Sequence, residues 1–205
     1  QVHVQGATGA MRQLLQHIER GRRTAPERVR LARAVAREMR LPEAEVGVIG
    51  FAATVHDVGM TMVGEDALER GGALTREERD RMERHAELGA ELLKPLEAVG
   101  AVREVVLSHH EWWDGSGYPR RLKGADIPIG ARVLAVVDAY ESMTLGRAHR
   151  GALTPAEALV EIGRLKGRQF DPEVVEAFER ALPGLEQRQA ESADTTDPAT
   201  SDTRR

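Results

Sequence analysis

The chain has 205 residues, 41% of them hydrophobic, enough for one ordinary domain with a real core. It contains no cysteine, which excludes disulfides, thiolate nucleophiles and Cys-type zinc sites. Its net charge of −4 gives no general reason to expect DNA or RNA binding, and no run approaches the roughly 20 apolar residues of a membrane helix. The first ten residues read as an irregular lead, and the start at Gln1 rather than Met suits a piece of something longer. Arg20, Arg22, Arg23, Arg28 and Arg30 cluster, but Glu19 and Glu27 interleave with them, so this is read as a solvated helix face. Without a signal-peptide pattern, a cytoplasmic setting is the expectation.

From there the chain reads helix after helix. In VRLARAVAREMRL, Val29, Ala32, Val35, Ala36 and Met39 recur at three- and four-residue steps. Pro42 opens a second helix through Val46, Ile49 and Ala53 and ending at His56 and Asp57. Thr75 to Glu78 is a capping box, predicting a third helix that carries Met82, His85, Leu88, Gly89 and Leu92. VREVVLSHHEWW predicts a fourth helix ending at a glycine turn, and IGARVLAVVDAYESM a buried fifth with Asp138 near its middle. Thr154 to Glu157 is a second capping box, and Asp171-Pro172 starts the last helix. With no run of alternating strands, the fold class is all-α. From Gln187 the sequence lacks large apolar residues and is rich in Ser, Thr, Asp and Pro, which predicts a disordered tail over 187–205.

His56, Asp57, His85, His109, His110 and Asp138 all lie in segments with apolar neighbours. A buried imidazole or carboxylate without a partner is costly, and ligation to metal satisfies several at once. Imidazole with carboxylate suits Fe, Mn, Zn or Ni, and a bundle can project such groups from several helices into one site. His17 and His149 need only ordinary hydrogen bonds. The two Trp, two Tyr and three Phe are few, yet three of these seven fall between Trp112 and Tyr118, directly behind the histidine pair.

His56-Asp57-Val-Gly, His85 followed by Gly89, HHEWWDGSGYP and Asp138 in VVDAY together resemble the HD-GYP family, all-helical bacterial phosphodiesterases within the HD metallohydrolase superfamily. The resemblance covers about residues 11 to 182, within a domain expected over 11–186. It implies hydrolysis of cyclic di-GMP to linear pGpG or on to GMP, with one or two divalent ions. Asp57 would bridge them, with His56 and Asp138 on one side and His85, His109 and His110 on the other. Arg147 and Arg150 align with family positions that contact the ligand, where an arginine fork suits phosphate. The turn after the histidines would form a substrate wall: Gly115 and Gly117 permitting unusual backbone angles, Pro119 stiffening the exit, Tyr118 presenting its ring and Trp113 stacking on guanine. The same loop is where the family meets partners of the diguanylate-cyclase type, and the flanking helices leave room for a homodimer.

Four positions depart from the family pattern. Ala25 stands where a first-helix histidine usually completes one metal shell, and Gly21 where members with a third metal carry an acid. Met60 replaces the lysine that usually follows His-Asp-x-Gly, and Trp112 stands where a basic residue is more common. The second half-site is therefore expected to be weakened. Two outcomes follow: a slow phosphodiesterase, or a module that binds cyclic di-GMP or a protein partner without turnover.

Overall fold

The computed structural model describes the backbone of residues 26–63, 75–96, 99–145 and 151–194, with side chains to Leu185. In chain order these form α1 (Pro26–Glu38), α2 (Glu43–Val55), a 3₁₀ turn (Val58–Met62), α3 (Arg76–Glu83), α4 (His85–Leu93), α5 (Gly100–Ser108), a 3₁₀ turn (Gly124–Asp126), α6 (Ile129–Thr144), α7 (Pro155–Arg164) and α8 (Pro172–Asp194). Among the described residues no strand forms, only an isolated bridge between Lys166 and Phe170. The all-α expectation holds.

The apolar stripes read from the sequence become the packed faces. α1 buries Leu31, Ala32, Val35 and Ala36 against α2, α6 and α8. α2 buries Val46, Ile49, Ala52, Ala53 and Val55, a set small enough for α5 and α6 to approach closely. Burying each Val- or Leu-sized side chain favours folding by about 1.5–3 kcal/mol. α6 runs through the middle, with Val133, Leu134, Val136 and Val137 fully buried, and Tyr140 meets Phe178 of α8 edge-to-face at 5.0 Å. Thr75 and Thr154 each form the reciprocal capping box that their sequences predict. The start of α8 is fixed by Asp171: one oxygen accepts from Glu173 N at 2.9 Å and the other from Arg132 Nη1 at 2.7 Å.

Two boundaries differ from the sequence reading. The single helix expected from Thr75 to Leu92 divides at Arg84, whose N–H donates to Arg81 and Met82 carbonyls. There His85 Nδ1 sits 2.6 Å from Met82 O, so a side chain competes for a carbonyl of the helical ladder. The backbone of α8 also continues to Asp194, eight residues into the segment expected to be a disordered tail. Gln, Arg, Ala and Glu are good helix formers, and extending an anchored helix avoids the cost of nucleation. The lead over 1–10, together with Gly21, Ala25, Arg147, Arg150 and residues 195–205, lies outside the described residues.

Candidate metal centre

Four chain segments deliver six ligand-type side chains to one place. α2 ends at Val55, so His56 and Asp57 emerge from its last turn, and Asp57 caps the 3₁₀ turn that follows. His85 opens α4, His109 caps α5 with His110 next to it, and Asp138 projects from α6. Two triads result, His85/His109/His110 and His56/Asp57/Asp138, each with ligand atoms within 4.8 Å of one another. Asp57 faces both halves: its carboxylate is 3.0 Å from His56 Nε2 and 3.7 Å from His85 Nε2. All six residues singled out from the sequence as metal ligands are thus brought together.

Two glycines make this convergence geometrically feasible. A Cβ on Gly59 would lie 2.0 Å from His85 O and 2.6 Å from Gly89 N, so the turn after Asp57 lies directly on the backbone of α4. A Cβ on Gly117 would lie 2.3 Å from Trp112 N and 2.5 Å from His110 O. Gly117 is therefore required for close approach, not for the unusual backbone angle expected of it; Gly115, at φ +87°, does need that angle.

The ring orientations suit a cation. His85 Nδ1 and His109 Nδ1 each lie 2.6 Å from the carbonyl three residues earlier, Met82 O and Val106 O. A carbonyl only accepts, so both Nδ1 atoms carry the proton and both Nε2 atoms are left to face the site. Those two Nε2 atoms stand 3.2 Å apart, and neutral rings would oppose their lone pairs there. His56 is 1% exposed and neither of its ring nitrogens has an aligned hydrogen-bond partner, although Nε2 lies near both Asp57 and Asp138. Leaving such a group unsatisfied costs about 1–3 kcal/mol, and a divalent ion removes the deficit. The residues present fit the metal.

Electrostatics separates the two halves. Burial pushes His109 down to about 3, with the neighbouring His56 charge adding to the effect. Burial likewise holds His110 well below the usual histidine range, helped by His109 and His85. Burial also opposes charge on His56, but the Asp57 and Asp138 carboxylates outweigh it and raise His56 to about 10. Asp57 stays ionised, because the surrounding imidazoles more than offset its own burial. Without metal, the proton on His56 offsets one of the two carboxylate charges in that half; ligation would displace it.

Two contributors were not expected at the site, and one of them, Arg28, was read as part of a solvated helix face but is largely buried there. Arg28 of α1 binds Glu141 through Nε and Nη2 and lies 3.8 Å from Asp138 Oδ1, so a fixed cation stands beside the two-carboxylate half. Glu111, 3% exposed, accepts from Arg120 N at 2.7 Å and Leu122 N at 3.0 Å, which clamps the loop after the histidine pair. Glu111→Gln leaves one buried N–H without an acceptor and is expected to cost about 1–3 kcal/mol. Thermal unfolding measures this, with Glu104→Gln, at an exposed ion pair with Arg120, as the comparison. Equal shifts in the two variants would remove the clamp argument.

A cavity of about 390 Å³ adjoins the ligands, with His109, His110 and Asp138 on one wall and Trp112, Met143 and Gln169 among the others. Trp113 does not line it. Its ring meets Arg132 instead, at 5.7 Å, while its N–H donates to Gln169 O and its carbonyl accepts from Gly124 N. These backbone bonds fix the residue against the α7–α8 connection. Tyr118 stacks on His110 at 4.9 Å and, with Gly117, borders a separate polar cleft beside α3 and α4.

Helices converging imidazoles and carboxylates on one place, with Asp57 between the two groups, define a domain fit to hold divalent metal. The chain belongs to the HD domain family, whose model matches residues 10–174, and its His109–Pro119 signature sets it in the HD-GYP branch. It is 41% identical over 152 residues to a Thermotoga maritima protein named cyclic di-GMP phosphodiesterase, covering 72% of this chain and 41% of that one. It is 39% identical over 161 residues to the Xanthomonas campestris cyclic di-GMP phosphodiesterase response regulator RpfG, covering 77% and 42%. It is also 36% identical over 138 residues to a Vibrio cholerae 3'3'-cGAMP-specific phosphodiesterase, covering 66% and 26%. The chain thus spans about two-fifths of the length of the first two relatives. Among solved structures, the Listeria monocytogenes phosphodiesterase PgpH HD domain superposes with a TM-score of 0.57 at 16% identity, over 86% of this chain and 98% of that one. A Vibrio cholerae cyclic GMP-AMP phosphodiesterase does so with a TM-score of 0.61 at 20% identity, over 84% and 48%. Both show the shared fold.

Proposed function

We propose that the chain is a metal-dependent phosphodiesterase acting on cyclic di-GMP, releasing linear pGpG or GMP, with activity lowered by an incomplete second half-site. The observation that carries this reading is the pair of triads at the edge of a cavity, with Asp57 of one lying 3.7 Å from His85 of the other. His85, His109, His110 and Asp57 would hold one divalent ion of Fe, Mn, Zn or Ni type; His56, Asp57 and Asp138 would hold a second more weakly. Bound there, such ions supply Lewis acidity and a nucleophilic hydroxide at neutral pH. The chain's own contribution is placement. Nδ1 bonds fix His85 and His109, the Glu111 clamp fixes the loop, and the ionised Asp57 ties the halves together. Arg147 and Arg150 are proposed to hold the phosphodiester, and Tyr118 and Gly117 to shape the loop beside His110.

A diguanylate-cyclase-type partner at the GYP loop and a homodimer belong to the same proposal. So does a cytoplasmic setting; among the described residues no helix is long and apolar enough to cross a membrane.

The reading of a binding module without turnover is favoured by Ala25, by Met60 in the turn after Asp57, and by Arg28 lying where it offsets the charge of Asp138. Counting metal ions per chain and incubating the Mn- or Fe-loaded protein with cyclic di-GMP separates the two. Linear product supports the enzyme, and binding without product the module. Ala25→His combined with Met60→Lys is expected to raise turnover by about 10–100-fold, the scale of one restored metal-site interaction. An unchanged rate would show that the deficit lies elsewhere.

A further inference from the structure

The cavity beside the ligands has one half-exposed aromatic wall, Trp112; Phe170 also lines it but is 1% exposed and belongs to the core. Trp112 is the residue after the Glu111 clamp, and its carbonyl accepts from Gly115 N at 2.8 Å, so its backbone is fixed on both sides. Opposite it, Trp113 N donates to Gln169 O at 3.1 Å and Asp114 N to Arg168 O at 2.9 Å, which binds the α7–α8 connection to the same loop. Arg168 thereby holds its guanidinium 5.9 Å from the Trp112 ring centroid, and Gln169 lines the cavity next to it. Arg168 lies over the ring and does not line the cavity, so it backs the indole; a flat indole on the cavity wall with an amide that both donates and accepts is what a purine base requires.

We propose that Trp112 is the stacking surface for a purine base of the cyclic dinucleotide, with Gln169 meeting the edge of that base. This assignment rests on the phosphodiesterase reading above and adds the residue that selects the base. A base stacked on Trp112 places its own sugar-phosphate toward His110 and Asp138, which line the same cavity. The fixed backbone means that little conformational freedom is lost on binding.

The test uses the metal-loaded chain and a hydrolysis-resistant phosphorothioate analogue of cyclic di-GMP. In Trp113→Phe, Trp112 is the sole tryptophan, since the sequence has two, and the analogue is expected to quench its fluorescence. Trp112→Ala is expected to weaken binding by roughly tenfold or more, the range of one base–aromatic stack, and Trp112→Phe to retain most of it. Metal content and melting temperature should stay as in the unaltered chain. Binding within about twofold for Trp112→Ala overturns the assignment and leaves the phosphodiesterase reading intact. A joint loss of metal and of melting temperature also overturns it, because the ring would then only pin the loop. An unaltered chain that binds neither the analogue nor 3'3'-cGAMP removes the phosphodiesterase reading and this one with it.

Discussion

Asp57→Ala is expected to lower turnover of cyclic di-GMP by roughly a thousandfold or more, the scale seen when a central catalytic group is deleted. The reason is position. Asp57 approaches both halves, 3.0 Å from His56 Nε2 and 3.7 Å from His85 Nε2. Its removal therefore weakens both metal positions at once and takes away a counter-charge of His56. Asp138→Ala makes the useful contrast, since Asp138 serves only the two-carboxylate half and is already partly matched by Arg28. Metal analysis should find both positions depleted in Asp57→Ala and only one in Asp138→Ala. Equal depletion in the two variants would mean that Asp57 does not join the halves. Because the loss also strips the buried His56 of a counter-charge, the metal-free variant should melt below the metal-free parent, so turnover is compared at a temperature where both remain folded.

What could be read from the sequence divides along a physical line. The six clustered side chains were legible because imidazole and carboxylate in apolar helical segments are costly unless something binds them. The capping boxes were legible because their partners lie three residues apart. Relations that join distant segments were not. Arg28 and Glu141 are 113 positions apart, and neither residue type announces the other. Glu111 stands inside a recognisable signature, yet its two N–H partners lie nine and eleven residues on, beyond any turn rule. Gly117 was expected to supply an unusual backbone angle and instead supplies room, a property of what faces it. The adjacent tryptophans differ in surroundings no sequence rule supplies: Trp112 lines the cavity, whereas the Trp113 ring meets Arg132. The break at Arg84 belongs with these, because His85 competes for a carbonyl in the same place that it is needed as a ligand.

Gly59→Ala carries the largest expected cost to the fold for a single added methyl group. The new Cβ would meet His85 O at 2.0 Å, Gly89 N at 2.6 Å and His85 C at 2.9 Å, all of them backbone atoms that no rotamer change can move aside. Either the turn after Asp57 or the start of α4 has to shift, and overpacking of this kind costs about 1–3 kcal/mol or more. For a chain of this size that corresponds to a melting temperature lower by roughly 2–12 °C. The shift also separates Asp57 from His85, so metal should bind at least about tenfold more weakly, as when a supporting residue of a metal site is lost. Gly47→Ala in α2 is the control, because nothing lies within 4 Å of its Cβ position and alanine is the better helix former. It should be neutral or slightly stabilising. If Gly59→Ala melted with the parent and kept its metal, the close seating of the turn on α4 would not be what holds Asp57 and His85 within reach of one ion.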